Sequence, residues 1–563
     1  MSENDLEDEL SPQVKDALVA LRKPVFALLV FSLFSNLLIL IVPLYTLQVL
    51  DRVISSGSLD TLFFMSIIAI VCLITWGGIQ SVRSLIATRT GRWIRYEMAP
   101  EIFGSTIEHA RVHNSMEGVR LQQTLQQLEQ FTAFSLNTLL DAPWAMIFMV
   151  ILFMLHPLIG LTALLGGFTL LALALLNNRM TKDVFKEGQG AFQKSQKFIG
   201  SSNQAMETAF VMGMKDSLLA RWRQLANPAY DQNCQGNERN LVLGHVTKTV
   251  RYTLQIGVMG IGTYLALENE VTMGAIIAGS ILMGKALQPF DAALNLWKSI
   301  LQVKDGIESI DTFMKEAPPT LEGLPLPRPA SNLEVRGIFY IPKGGKDPIL
   351  DNINFALPEA STLAIIGASG AGKTTLSKVL VGYLPLTAGT VRLGGADIHS
   401  MDRNHAGSYF GYLSQEAAFM QGTVADNIAR MTTDYDPNKV VEAAQFCEAH
   451  ETILRLPMGY DTPVLDYPLS AGQKQRVALA RAFYGMPPLV VMDEPNANLD
   501  LHGDRDLNKT LVRSREQGIT TIVISHRSGA LKHATHVLIV KAGRLVEFGT
   551  RDEILPKLQK KAS

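Results

Sequence analysis

Cysteine is nearly absent. Cys72, Cys234 and Cys447 are scattered over 563 residues, too few and too far apart for a disulfide framework or a thiolate metal site. No redox role is expected. Net charge is small, -1 from 51 Lys+Arg and 52 Asp+Glu, and decides nothing by itself; no nucleic-acid-binding motif stands out. Charge itself is scarce, 18% of residues against about 25% in an average soluble domain. A mean hydropathy of +0.16 with 47% hydrophobic residues is high for a wholly soluble chain.

The missing charges are missing in blocks. None lies between Lys23 and Asp51 or between Asp60 and Arg83, and each run can cross a bilayer. Residues 142–178 form a third block of 37 positions without Lys, Arg, Asp or Glu, about 55 Å as one helix and too long for one crossing. His156-Pro157 near its middle marks a turn between two spans, because proline breaks helical hydrogen bonding. Residues 252–284 repeat the design, with Glu268-Asn-Glu270 as the break. Six spans result, with almost no charge inside them.

Lys and Arg set the orientation. Six Arg lie between Arg83 and Asp141, and eleven Lys or Arg between Arg179 and Arg251, whereas the three opposite loops offer only Arg52. Positive residues mark the cytoplasmic side. These connections of 59 and 73 residues are too long for turns and rich in helix formers, so they are expected as helical extensions of the spans. The opening, with five Asp or Glu in ten residues, is expected as part of a cytosolic tail, 1–23. No cleavable signal peptide is expected, because the first apolar run begins after residue 23 and is long enough to remain as a span. Five prolines between Ala317 and Ala330 mark a linker at 317–330. The expected division is therefore a membrane domain at 24–316 and a second, α/β domain at 331–563.

That second domain carries chemistry. Gly367-Ala368-Ser369-Gly370-Ala371-Gly372-Lys373-Thr374 fits the GxxxxGK[ST] phosphate loop and follows the apolar run Leu363–Ile366, a buried strand. Glycines let backbone N–H groups close around phosphate oxygens, and the helix opening near Lys373 points its positive end at them. Lys373 is expected to reach the β- and γ-phosphates of ATP and Thr374 to offer its hydroxyl to Mg²⁺, with Thr375 completing the nucleotide-binding set. Leu489-Val-Val-Met-Asp493-Glu494 is an apolar strand ending in two carboxylates. Asp493 suits the Mg²⁺ shell, and Glu494 suits polarisation of the attacking water.

The discriminating element is Leu469-Ser470-Ala471-Gly472-Gln473, followed by Lys-Gln-Arg476. It resembles the LSGGQ signature of the ABC-transporter superfamily, with Ala471 in place of a glycine. The resemblance implies an exporter fold, six α-helical spans followed by an α/β phosphate-loop ATPase. It also implies a site shared by two subunits: Ser470, Gly472 and Gln473 of one would close over the nucleotide held by Lys373 of the other. Further positions follow one by one. Gln415 in Tyr412-Leu-Ser-Gln resembles the Q-loop glutamine, at once a catalytic and a metal-shell position; Asp500 in Asn498-Leu-Asp resembles the D-loop; His526 in Ile524-Ser-His resembles the switch histidine. Tyr340 is the nearest candidate for stacking on adenine, two residues from where the superfamily places its aromatic. The stretch Asp461–Pro468 departs from the family by lacking the usual glycines and glutamate.

Within the exporters the chain resembles the PrtD-like branch of type I secretion ATPases. The match rests on Ile41–Arg52, Asp141-Ala-Pro-Trp144, His156-Pro157, Met212-Gly-Met214 and Asp493-Glu-Pro-Asn-Ala-Asn-Leu-Asp500. It implies a homodimer in the bacterial inner membrane, a periplasmic membrane-fusion adaptor, an outer-membrane tunnel protein, and a secreted polypeptide substrate that leaves unfolded and uncleaved. Two alternatives share the architecture: an exporter of lipids or small amphipathic molecules, and a non-transporting regulatory membrane ATPase.

Overall fold

The computed structural model describes residues 10–109, 116–203, 205–316, 327–342, 344–525 and 528–562. The chain forms two compact units, Met1–Pro318 and Pro319–Ser563.

Among the described residues, six long helices make the first unit: α1 (Pro12–Ser56), α2 (Leu59–His109), α3 (Gly118–Leu155), α4 (Pro157–Asn203), α5 (Lys215–Leu267) and α6 (Met273–Glu316). Among the described residues, five are long and apolar enough to cross a membrane; α5 falls outside that group, its apolar end being diluted by Arg251, Tyr252 and Gln255. The helices outrun the bilayer. At 51 residues α2 is about 77 Å long against a hydrocarbon core of about 30 Å.

Within the expected tail, residues 12–23 are helical. Ser11 is extended at the cap position, Pro12 supplies the fixed φ that suits a first helical residue, and Val14 is buried. The Ser11 N–H donates to Asp311 Oδ1 of α6 at 2.6 Å, placing a carboxylate at the positive end of α1.

The turns between the helices have local causes. His156 is extended (φ -167°, ψ 139°) and Pro157 opens α4. Asn269 at φ 61° reverses the chain between α5 and α6. Asp51 caps α6, accepting from the Thr272 hydroxyl and, at 2.8 Å, from the Gly274 N–H. A Cβ on Gly274 would stand 2.7 Å from both Asp51 Cγ and Leu47 O, so only glycine lets α1 and α6 meet there. Phe148, Leu152, Ile159, Leu170, Val258 and Met283 form the core that α3 to α6 share.

The second unit holds two sheets. β1 (Leu333–Tyr340), β2 (Leu350–Leu357), β4 (Ala388–Leu393) and β5 (Ala396–Asp397) form an antiparallel sheet in the order β2-β1-β4-β5. β3 (Thr362–Ile366), β6 (Phe410–Leu413), β7 (Leu489–Asp493), β8 (Thr520–Ile524), β9 (His536–Lys541) and β10 (Arg544–Thr550) form the other, ordered β10-β9-β3-β8-β7-β6. It is parallel except for β10. β7 and β8 are buried along their whole length, as central parallel strands require. Three helices matter for the site: α7 (Lys373–Leu380), α8 (Ala471–Phe483) and α9 (Leu501–Glu516). Of the expected linker, 317–326 lies outside the described residues. Its last residues lie on the second unit: Pro329 and Ala330 abut Gly394, and Arg328 donates to Met486 O.

Candidate nucleotide site

Strand register sets the site. Ile365 pairs with Ile524 and Ile524 with Asp493, so the phosphate loop leaves β3 at the level where β7 ends. Two strand spacings separate them, roughly 10 Å. Ligands of open α/β sheets bind at this carboxyl edge.

The phosphate loop is walled by backbone. A Cβ on Gly367 would lie 2.3 Å from Val540 O, so no side chain fits. Gly370 and Gly372 take φ +76° and +96°, a region costly for other residues. Ala371 is buried and its carbonyl accepts the Gly543 N–H at 3.1 Å, while Ala368, Ser369 and Gly370 are exposed. Lys373 Nζ donates to Gly367 O and Ala368 O, both at 2.9 Å, and so spans the loop it belongs to. Burial pulls the Lys373 ammonium below the ordinary lysine range, opposed by Glu494 and Asp493. Thr374 and Thr375 are half-buried in the first turn of α7.

Asp493 is the most telling group. It is 1% exposed, and among the described residues neither carboxylate oxygen meets hydrogen-bond geometry with any group. Burial raises its pKa, offset by the nearby Thr374 hydroxyl and by Lys378 and Lys373. A buried carboxylate without donors is costly. Its neighbour Glu494 has φ 48°, a strained position for a non-glycine residue, held by its N–H donating to Ile524 O at 2.9 Å. Gln415, two residues beyond β6, is exposed, and its Nε2 lies 3.4 Å from Glu494 Oε2. Lys373, Thr374, Asp493, Glu494 and Gln415 thus converge.

The signature residues bond among themselves. Ser470 caps α8 by accepting from Gln473 N–H at 3.2 Å, and Gln473 Oε1 accepts the Ser470 N–H at 2.8 Å, a reciprocal capping box. Among the described residues no hydrogen bond joins Ser470, Gly472 or Gln473 to Gly367–Thr375. Asp500 caps α9, accepting from Gly503 N–H at 2.8 Å, and that bond holds its carboxyl below the ordinary range. Tyr340 ends β1 half-buried against the core, its carbonyl accepting the Ile349 N–H at 2.9 Å. Ile349 O in turn lies 3.1 Å from where a Cβ on Gly372 would be, so Tyr340 is one residue pair from the phosphate loop. His526 lies outside the described residues.

Sequence reasoning overlooked two ties. The buried Gln475 donates Nε2 to Pro495 O at 3.0 Å, joining α8 to the segment after Glu494. Ser525, beside His526, donates to Asn496 Oδ1 at 3.3 Å. Both use residues that motif matching treats as filler.

Comparison with known proteins decides the family. Residues 25–290 match the ABC transporter transmembrane region and 350–497 the ABC transporter family. Over 532 residues the chain is 33% identical to the type I secretion system ATP-binding protein PrsD of Rhizobium meliloti (strain 1021), covering 93% of this chain and 91% of that protein. The chain belongs to the type I secretion ABC exporters. It is also 25% identical to the alpha-hemolysin translocation ATP-binding protein HlyB of Escherichia coli O157:H7, over 96% of this chain and 78% of that one. In fold the exporter matches a bacterial Atm1-family ABC exporter solved with ATP bound, at TM-score 0.81 and 20% identity, covering 96% and 97% of the two chains. Its cassette is an ATP-binding ATPase coupled to transport across a membrane.

Proposed function

We propose that two copies of this exporter use ATP to move an unfolded, uncleaved polypeptide out of the bacterial cytoplasm. They would act as the ABC component of a type I secretion system. The observation that carries this is the relationship over 93% of the chain to a type I secretion protein, which takes in both the membrane unit and the cassette. The exporter would sit in the inner membrane with its cassette in the cytosol. A periplasmic membrane-fusion adaptor and an outer-membrane tunnel protein would complete the route.

In this reading the N–H groups of Ala368–Lys373 enclose the phosphates, and Lys373 turns from its own loop carbonyls to the β- and γ-oxygens. The two bare oxygens of Asp493 beside the Thr374 hydroxyl suit Mg²⁺, with Gln415 at the edge of the shell. Bound there, the ion would neutralise phosphate charge as the bond to the leaving oxygen breaks. Glu494 orients the attacking water and accepts its proton, and the switch-histidine role at the γ-phosphate falls to His526. Tyr340 flanks the base. The second copy supplies Ser470, Gly472 and Gln473, with Asp500 at the seam between copies. The absence, among the described residues, of any hydrogen bond between these residues and the phosphate loop within one chain supports a site completed by a partner.

Cells carrying the intact exporter should release cargo that cells carrying Glu494→Gln retain. Full ATP turnover by isolated single subunits would sink the two-copy reading. Lipid movement in vesicles lacking adaptor and tunnel would redirect the substrate class.

A further inference from the structure

Among the described residues Arg83 is the largest fully buried side chain, at 0% exposed. It marks the end of the second charge-free run, and Asp141 immediately precedes the third. The fold brings them together: Arg83 Nη2 lies 2.8 Å from Asp141 Oδ1. That oxygen also accepts from the Ser32 hydroxyl and, at 3.1 Å, from Asn36 Nδ2, both on α1. Three donors from two helices therefore meet one oxygen of the third. Charges at a membrane border that pair this thoroughly call for a function.

Asp141 sits in a broken stretch of helix. Phe131–Ser135 is a π-turn, Leu136–Asp141 is α-helical, and Ala142–Trp144 is a 3₁₀ turn in which Pro143 lacks an N–H. The six-residue piece Leu136–Asp141 is thus joined to the rest of α3 by two irregular turns. Arg83 holds both its ends, reaching Asn137 O at 3.3 Å as well as Asp141. Its own helix, α2, runs unbroken from Leu59 to His109. Below the break, α2 and α3 meet with no room to slide: a Cβ on Gly91 would lie 2.8 Å from Glu129 O, and one on Gly118 2.3 Å from Thr106 Oγ1. A continuous helix is therefore clamped to a jointed one at the joint.

We propose that the Arg83–Asp141 clamp, with Ser32 and Asn36, is the positioning device that makes the joint in α3 transmit movement between its extension and its span. Without it, the extension bends at Phe131–Trp144 and motion dissipates there. Arg83 touches neither nucleotide nor cargo; it acts through α3. The inference rests on the export reading above.

The test uses Arg83→Gln, Asp141→Asn and the doubly neutral pair, which keeps hydrogen bonding without stranding a buried charge. Acting as one unit, all three lower cargo export by the same factor, about tenfold, while ATP turnover stays within about twofold of wild type. Spin labels at Gln126 and Val150, with Cys72, Cys234 and Cys447 replaced, should show a broadened distance distribution across the joint in each variant. Export and distances unchanged in the folded double variant would overturn the clamp. So would ATP turnover falling in step with export, which marks a structural role only. Failure of the wild type to export in the same assay would instead count against the export reading.

Discussion

Asp493 in the cassette and Asp141 in the membrane unit are both acids at the ends of apolar elements, yet they are treated in opposite ways. Asp493 is buried, and among the described residues neither of its oxygens meets hydrogen-bond geometry, the Thr374 hydroxyl being the nearby donor. Asp141 is a third exposed, and one of its oxygens already accepts from Ser32, Asn36 and Arg83. A carboxylate left bare in a low-dielectric site raises the free energy of the folded chain until a cation or donor arrives. One with an oxygen that already meets three donors of its own fold holds helices in place. The state of satisfaction, more than burial, separates a group poised for a ligand from a group that fixes geometry.

Replacing Glu494, the strained neighbour of Asp493, is the strongest way to break the cassette side. Glu494→Gln keeps shape and the Ile524 contact but cannot accept a proton, so phosphate release should fall about 10²–10⁴-fold with ATP binding retained. Next comes the pair itself, measured by thermal unfolding in detergent. Asp141→Asn strands the Arg83 guanidinium and should cost about 3 kcal/mol, the low end for a broken buried pair because Asp141 is partly exposed. Asp493→Asn should go the other way, stabilising the free protein by roughly 1 kcal/mol while weakening Mg²⁺-dependent ATP binding. Equal signs for the two would end the comparison.

The two regions also differ in how much of them the sequence reveals. Gly367–Thr374, Asp493-Glu494 and Leu469–Gln473 are contiguous words, since phosphate binding needs successive backbone N–H groups and a strand end delivers adjacent side chains. The membrane unit is legible through hydropathy, which found the turns at His156-Pro157 and Glu268–Glu270. Hydropathy missed the helix over residues 12–23, because that stretch is amphipathic and its buried Val14 packs in a cluster with Ile310 and Phe313, distant in sequence. The Arg83–Asp141 pair was visible only as two borders of apolar runs, 58 positions apart. Within the cassette, the reason for glycine at 367 is a carbonyl of Val540, which no local pattern contains.

Gly367 gives a smaller, sharper test. Gly367→Ala drives a methyl group to 2.3 Å from the Val540 carbonyl, which backbone cannot absorb freely, and should cost about 1–3 kcal/mol. Gly370→Ala meets nothing within 4 Å and suffers only its φ of +76°, about 1 kcal/mol. The melting temperature of Gly367→Ala should therefore be the lower of the two.

The smallest expected effect concerns Asp500, which is both a helix cap and the residue assigned to the seam between copies. Its side chain accepts the Gly503 N–H at the start of α9, so Asp500→Ala should lower cassette stability by about 1 kcal/mol. Asparagine caps equally well, so Asp500→Asn should melt like wild type. Any loss of ATP turnover in Asp500→Asn then belongs to the lost charge at the seam and not to a frayed helix. Should the two variants lose turnover only in proportion to stability, Asp500 joins Asp141 among the groups whose work is finished inside one chain.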